Sequence, residues 1–226
     1  MLYSAVLALA TSAVPQVAIE LAPEPGTSAN GELIAVYDRR LAQSLVRDLE
    51  MRGIPAVINE QGRSPAGARL TILLRHHAIP AEWVDKGHAP AFYGFALGIA
   101  QSNPDSQTTI SCTRMVGTAL RQAGEVPSLY RSFKLPGLDQ PLLDTALGIH
   151  YAKGNAALAG RSNAVMELEV GIVSHPDDSK RLANPVVVSG LADAIASGVN
   201  ECFNPTPDVE EALDQSPPFV DPDMFK

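Results

Sequence analysis

Residues 17–58 read VAIELAPEPGTSANGELIAVYDRRLAQSLVRDLEMRGIPAVI, and their pattern decides the fold class. Val17–Leu21 is a short, mostly apolar run that predicts a buried strand. Ala22–Gly31 is rich in Pro and Gly and reads as a loop. From Glu32 to Arg52 the apolar residues Ile34, Tyr37, Leu41, Leu45 and Leu49 recur at helical spacing. Acidic Glu32 suits a first turn, Arg52 a last turn, and Gly53 a C-cap. Ile54–Ile58 then predicts a second strand. Strand, helix and strand in that order form the unit of a parallel sheet.

The same alternation continues outward. Strands are expected at Leu70–Leu74, at Phe92–Ala100 between Pro90 and the turn Asn103-Pro104, and at Ala164–Val170. Helices are expected over Gln107–Gln122, stopped by Gly124, and over Leu182–Cys202, interrupted near Asn184-Pro185. Glu125–Ala146 reads as a long irregular stretch. The expectation is a single α/β domain over residues 15–203, a twisted, mostly parallel sheet with helices on both faces. The chain of 226 residues is long enough to bury such a core.

A net charge of −8 excludes nucleic acid as the main partner, because that partner needs a basic face. No uninterrupted apolar run reaches the roughly 18 residues that span a bilayer. Residues 1–14 read as a signal peptide or an N-terminal extension. Leu2–Ala10 is apolar, and Thr11, Ser12 and Ala13 are small, although no Lys or Arg precedes them. A periplasmic or otherwise exported protein is expected on that basis. Residues 204–226 hold five prolines and many acids, and read as a disordered tail. Cys112 and Cys202 lack metal-ligand spacing; they either pair, if the protein is exported, or are buried thiols.

Four segments, in this order, resemble the zinc-dependent N-acetylmuramoyl-L-alanine amidases. They are AIELAPEPGTSANGELIAVYDRRLAQSLVRDLEMRGI from Ala18, LTILLRHHAIPAEW from Leu70, FYGFALGIAQSNPDSQTTISCTRMVGTALRQAG from Phe92, and AVMELEVGIVSHPDD from Ala164. The resemblance implies an enzyme that cuts the amide between muramic acid and the first L-alanine of peptidoglycan. Its zinc would be held by two histidines and a glutamate, leaving one position open for a water of lowered pKa. A second glutamate would take that water's proton and pass it to the leaving amine.

Residue by residue, the resemblance places His76 at the second zinc histidine, followed by His77, and Glu169 at the catalytic glutamate. The first histidine has no counterpart, since the loop reads Ala22-Pro23-Glu24-Pro25-Gly26. Ile34 stands where the glutamate ligand belongs, with Glu32 two residues before it as the doubtful substitute. The segment between Ile58 and Leu70 is short for the family's helix there.

Each residue also has a plainer reading. His76 alone cannot satisfy a four-coordinate zinc, so the favoured reading is a histidine without metal. Glu169 is either a surviving proton-transfer group or a carboxylate held by a hydrogen bond or an arginine. A rebuilt metal site would draw on His76, His77, His88, His150 and His175 with Glu24, Glu32 or Glu169, and spacing selects no set. Trp83, Phe92 and Tyr93 are either packing residues or a wall for stacking on a sugar. Two functions are therefore in play. One is a degenerate, non-hydrolytic amidase-like cell-wall protein that binds peptidoglycan fragments or a partner protein. The other is an active zinc amidase with an altered ligand set.

Overall fold

The computed structural model describes residues 14–22, 25–60, 67–87, 92–134 and 138–205. Of the segments read as leader (1–14) and tail (204–226), all but Val14, Asn204 and Pro205 lie outside the described residues. Strand β1 (Val17–Leu21) runs into helix α1 (Ile34–Met51), which leads to β2 (Ala56–Asn59). The helix starts two residues later than the charge pattern suggested. Leu33 takes the N-cap, and Glu32 lies outside the helix, paired with Arg40 at 2.9 Å. Gly53 follows the helix at φ +73°, a conformation that costs a residue without Cβ little.

Next come β3 (Leu70–His77), the short α2 (Ala81–Asp85), β4 (Ala96–Ile99) and α3 (Ser106–Gln122). The stretch expected to be irregular contains a 3-10 turn (Tyr130–Ser132) and strand β5 (Leu142–Asp144). Strand β6 (Ile149–Tyr151) and the one-turn α4 (Ala156–Ala159) follow. Strand β7 (Ala164–Ile172), α5 (Pro176–Leu182) and α6 (Pro185–Phe203) complete the domain. The expected break at Asn184-Pro185 is real: Asn184 caps α6 by accepting from the Val186 N–H, and Pro185 needs no donor there.

The strands form one seven-stranded sheet in the order β2-β1-β3-β7-β4-β6-β5. The first four are mutually parallel, β4 is antiparallel to β7, β6 is parallel to β4, and β5 is antiparallel to β6. Strand side chains alternate between faces, and this sheet uses its two faces differently. Val17, Ile19, Leu70, Ile72, Leu74, Met166, Leu168, Val170, Leu97 and Ile149 form a dry core with α1, α3 and α6. The other face carries Glu20, Thr71, Arg75, Glu167, Glu169, Gly98 and His150. There α4 packs Leu158 against Leu73 and Val165.

Helix α6 is the one helix among the described residues long and apolar enough to cross a membrane. Here its apolar positions serve the core, because it packs against both α1 and α3. Gly198 makes that contact close: a Cβ there would sit 2.5 Å from Val116 Cα. A disulfide between Cys112 and Cys202 ties α3 to α6, with Cα atoms 4.9 Å apart. The pairing left open by the sequence is therefore formed.

Candidate functional site

The polar face of the sheet converges on Glu169. Strand register sets Arg75 of β3 directly beside Glu169 of β7, with Ala96 of β4 on its other side. Tyr130 and Arg131 arrive from the 3-10 turn. That segment is fastened to β4 by the Phe95 N–H donating to the Val126 carbonyl and the Ser128 N–H donating to the Phe95 carbonyl. Arg131 then grips Glu169 with two bonds: Nε donates to Oε2 at 2.8 Å and Nη2 donates to Oε1. The Tyr130 hydroxyl donates to Oε2 at 2.7 Å, and Arg75 Nη2 lies 2.9 Å from Oε1. His77 stacks on Tyr130 and places Nδ1 3.8 Å from Oε1.

Glu169 is only 2% exposed, so its burial alone would favour the protonated acid. The charge and hydrogen bonds of Arg131, then His77 and Arg75, outweigh that burial and hold the carboxyl well below its usual range. Burial, reinforced by the Glu169 charge, pushes the Tyr130 phenol well above its usual value, so it remains a donor. Glu169 is thus ionised with both oxygens engaged, a poor state for a base that must accept a proton.

Glu167 lies two residues earlier on the same face and is 3% exposed. Its Oε1 meets Arg75 Nη2 at 2.5 Å and Arg131 Nη2 at 3.5 Å. Burial, opposed by Arg131 and helped by Glu169, raises its pKa. The sequence pointed to none of Arg75, Tyr130, Arg131 or Glu167 by position. Its one legible signal was Glu169 itself, a carboxylate in an apolar strand that needs a hydrogen bond or an arginine to be buried.

The sequence-expected residues are not brought together. His76 and Glu169 both lie near the carboxyl ends of their strands, but on opposite faces of the sheet. His76 turns toward α1, where its N–H donates to Asp38 Oδ1 at 2.6 Å and its Nδ1 lies 2.9 Å from the same atom. The Tyr37 ring stands 5.6 Å from the imidazole. Glu32 is occupied by Arg40. Beside it, the start of α1 is filled by hydroxyl and amide groups, with Tyr37 Oη donating to Asn30 Oδ1 at 2.9 Å and lying 3.3 Å from Ser28 Oγ.

Two other described histidines make Nδ1 contacts of their own. His175 caps α5 through Nδ1, and His150 Nδ1 bonds the Gly148 carbonyl at 3.0 Å. Among the described residues, no three His, Cys, Asp or Glu side chains converge on a common point for a metal ion. Zinc wants three or four such donors, so the donors among the described residues do not by themselves make a site for it. Glu24 and His88 lie outside the described residues. Of the aromatics, Phe92 is buried among Trp83, Tyr130 and Phe133 at ring distances of 5.6–5.7 Å, whereas Tyr93 is half-exposed beside His175.

No family model matches the sequence, and no curated protein matches it. Solved structures do. The N-acetylmuramyl-L-alanine amidase Ami1 from Mycobacterium smegmatis superposes with a TM-score of 0.65 at 12% identity, over 85% of this chain and 99% of that one. AmiC2 of Nostoc punctiforme gives 0.61 at 15% identity, over 85% and 98%. The CwlD amidase from Clostridioides difficile, solved with the GerS lipoprotein, gives 0.58 at 11% identity, over 83% and 98%. The fold is that of the N-acetylmuramoyl-L-alanine amidases. At these identities the likeness is one of fold, and the amidase fold hosts a site whose chemistry has to be read from this chain's own residues.

Proposed function

We propose that this protein is an exported, amidase-fold cell-wall protein that does not hydrolyse peptidoglycan but binds its fragments. The observation that carries this reading is the capture of Glu169 by Arg131, Arg75 and Tyr130. A hydrolytic site needs a carboxylate free to take a proton from water and a cation to activate that water. Here the group at the catalytic position is neutralised by the protein's own guanidinium groups. His76, the proposed metal ligand, lies on the opposite face of the sheet from Glu169, with its Nδ1 held against Asp38. The amidase likeness supports a wall ligand. The Cys112–Cys202 disulfide supports export, because such bonds persist in oxidising compartments.

The test pairs three measurements on the purified protein: zinc content, release of stem peptides from peptidoglycan, and retention on insoluble peptidoglycan. Zinc far below one equivalent, no release and measurable retention are expected. One equivalent of zinc together with peptide release would restore the active zinc amidase and overturn the proposal.

A further inference from the structure

A second pair of titratable groups lies beneath the Glu169 cluster and has no part in the reading above. Glu167 of β7, Gly98 of β4 and His150 of β6 occupy successive strands at one level of the sheet, on the same face. Gly98 leaves the space over its Cα open, and Glu167 uses it: a Cβ on Gly98 would lie 2.7 Å from Glu167 Oε2. That oxygen therefore leans across β4 toward the strand that bears His150. Oε2 is buried without a hydrogen-bond partner, and so is His150 Nε2.

Buried polar atoms are nearly always satisfied, so two such atoms on one face of the sheet, on the strands flanking Gly98, call for an explanation. The tautomer supplies half of it. His150 Nδ1 bonds the Gly148 carbonyl, an acceptor only, so Nδ1 carries the hydrogen and Nε2 presents a lone pair. A lone pair seeks a donor, and an ionised carboxylate cannot be one. A protonated Glu167 can.

We propose that Glu167 and His150 form a neutral proton couple in the folded protein, with the proton on Glu167 Oε2 directed across Gly98 toward the Nε2 lone pair of His150, directly or through one water. The charged surroundings agree. Glu167 faces Arg75 and His77 from β3, Arg131 from the 3-10 turn and Glu169 from its own strand; burial, joined by the Glu169 charge, outweighs Arg131, Arg75 and His77 to raise its pKa. His150 faces Arg131 and Glu169, and burial followed by the Arg131 charge lowers its pKa.

The consequence concerns folding. Between the ordinary glutamate and histidine pKa values, about 4.3 to 6.5, the unfolded chain carries Glu167 ionised and His150 protonated. The folded chain carries Glu167 protonated and His150 neutral. Folding then moves one proton from His150 to Glu167 with no net uptake, and the couple adds no pH dependence in that window.

Breaking the couple exposes each half with opposite sign. In Glu167→Gln only His150 remains. Its lowered folded pKa means the unfolded state binds more protons, so stability falls as pH drops below 6.5. In His150→Gln only Glu167 remains. Its raised folded pKa means the folded state binds more protons, so stability falls as pH rises above about 4.3.

The experiment is urea unfolding of wild type and both variants from pH 4.5 to 6.5. Relative to wild type, the unfolding constant should change by up to about tenfold per pH unit, in opposite directions for the two variants. Parallel pH profiles for all three proteins would overturn the proposal. Because either variant could fail to fold, nitrogen shifts of wild-type His150 provide a second test. At pH 5.5 they should report a neutral Nδ1–H ring, and a protonated ring or the Nε2–H tautomer would overturn the proposal.

Discussion

Removing the Arg131 guanidinium as Arg131→Met is the sharpest test of the reading of Glu169. Arg131 is 7% exposed and Glu169 2%, so the ion pair between them is buried and little screened by solvent. The substitution keeps the volume of the stem but removes both bonds to the carboxylate. Arg75 and Tyr130 remain within bonding distance of it. Breaking a buried pair from one side costs about 3–5 kcal/mol, because the partner charge stays behind. For a domain of this size, each kcal/mol lowers Tm by about 2–4 °C, so a fall of about 6–20 °C is expected. Glu169→Gln should also destabilise, since it strands Arg131. The double variant Arg131→Met, Glu169→Gln should cost less than the sum of the singles by about 1–3 kcal/mol. Thermal and urea unfolding of the four proteins give the cycle. A Tm within about 2 °C of wild type for Arg131→Met, roughly 1 kcal/mol or less, would refute the argument that Glu169 is bound as a structural anion.

Four further outcomes follow from the same coordinates. Added zinc should leave Tm unchanged in thermal scans, because an ion bound only by the folded state would have to raise it. His76→Ala should lower stability by about 1–3 kcal/mol in urea unfolding, since Asp38 is fully buried and loses its imidazole partner. Cys112→Ser with Cys202→Ser should cost about 4 kcal/mol, because the bond closes a loop with a sequence separation of 90 residues; reductant should do the same to wild type and nothing to the variant. Gly198→Ala should cost about 1–3 kcal/mol, because the new Cβ would press within 2.8 Å of Met115 O and 2.5 Å of Val116 Cα.

The sequence by itself determined the frame. Period-2 and period-3.6 apolar patterns depend on neighbours a few residues away, so β1, α1, β3, α3, β7 and the break before α6 were legible. They were legible because each must bury one face whatever surrounds it. The short β5 and β6 were not. Three residues carry too little periodicity, and these strands exist because β4 offers an edge to pair with.

Only the tertiary structure decided the site. Arg131 and Glu169 are 38 positions apart, and His76 and Asp38 also 38, so nothing local links them. Strand β3 runs past the expected end at Leu74 to include His76, and which face His76 occupies follows from strand parity, which sends it to Asp38 while Glu169 goes to Arg131. Glu169 in β7 signalled that buried charge needs partners. Which partners arrived depended on a 3-10 turn within a stretch that has no pattern of its own. Local propensity acts along the chain, whereas a buried carboxylate is governed by whatever charge the fold brings within a few ångströms of it.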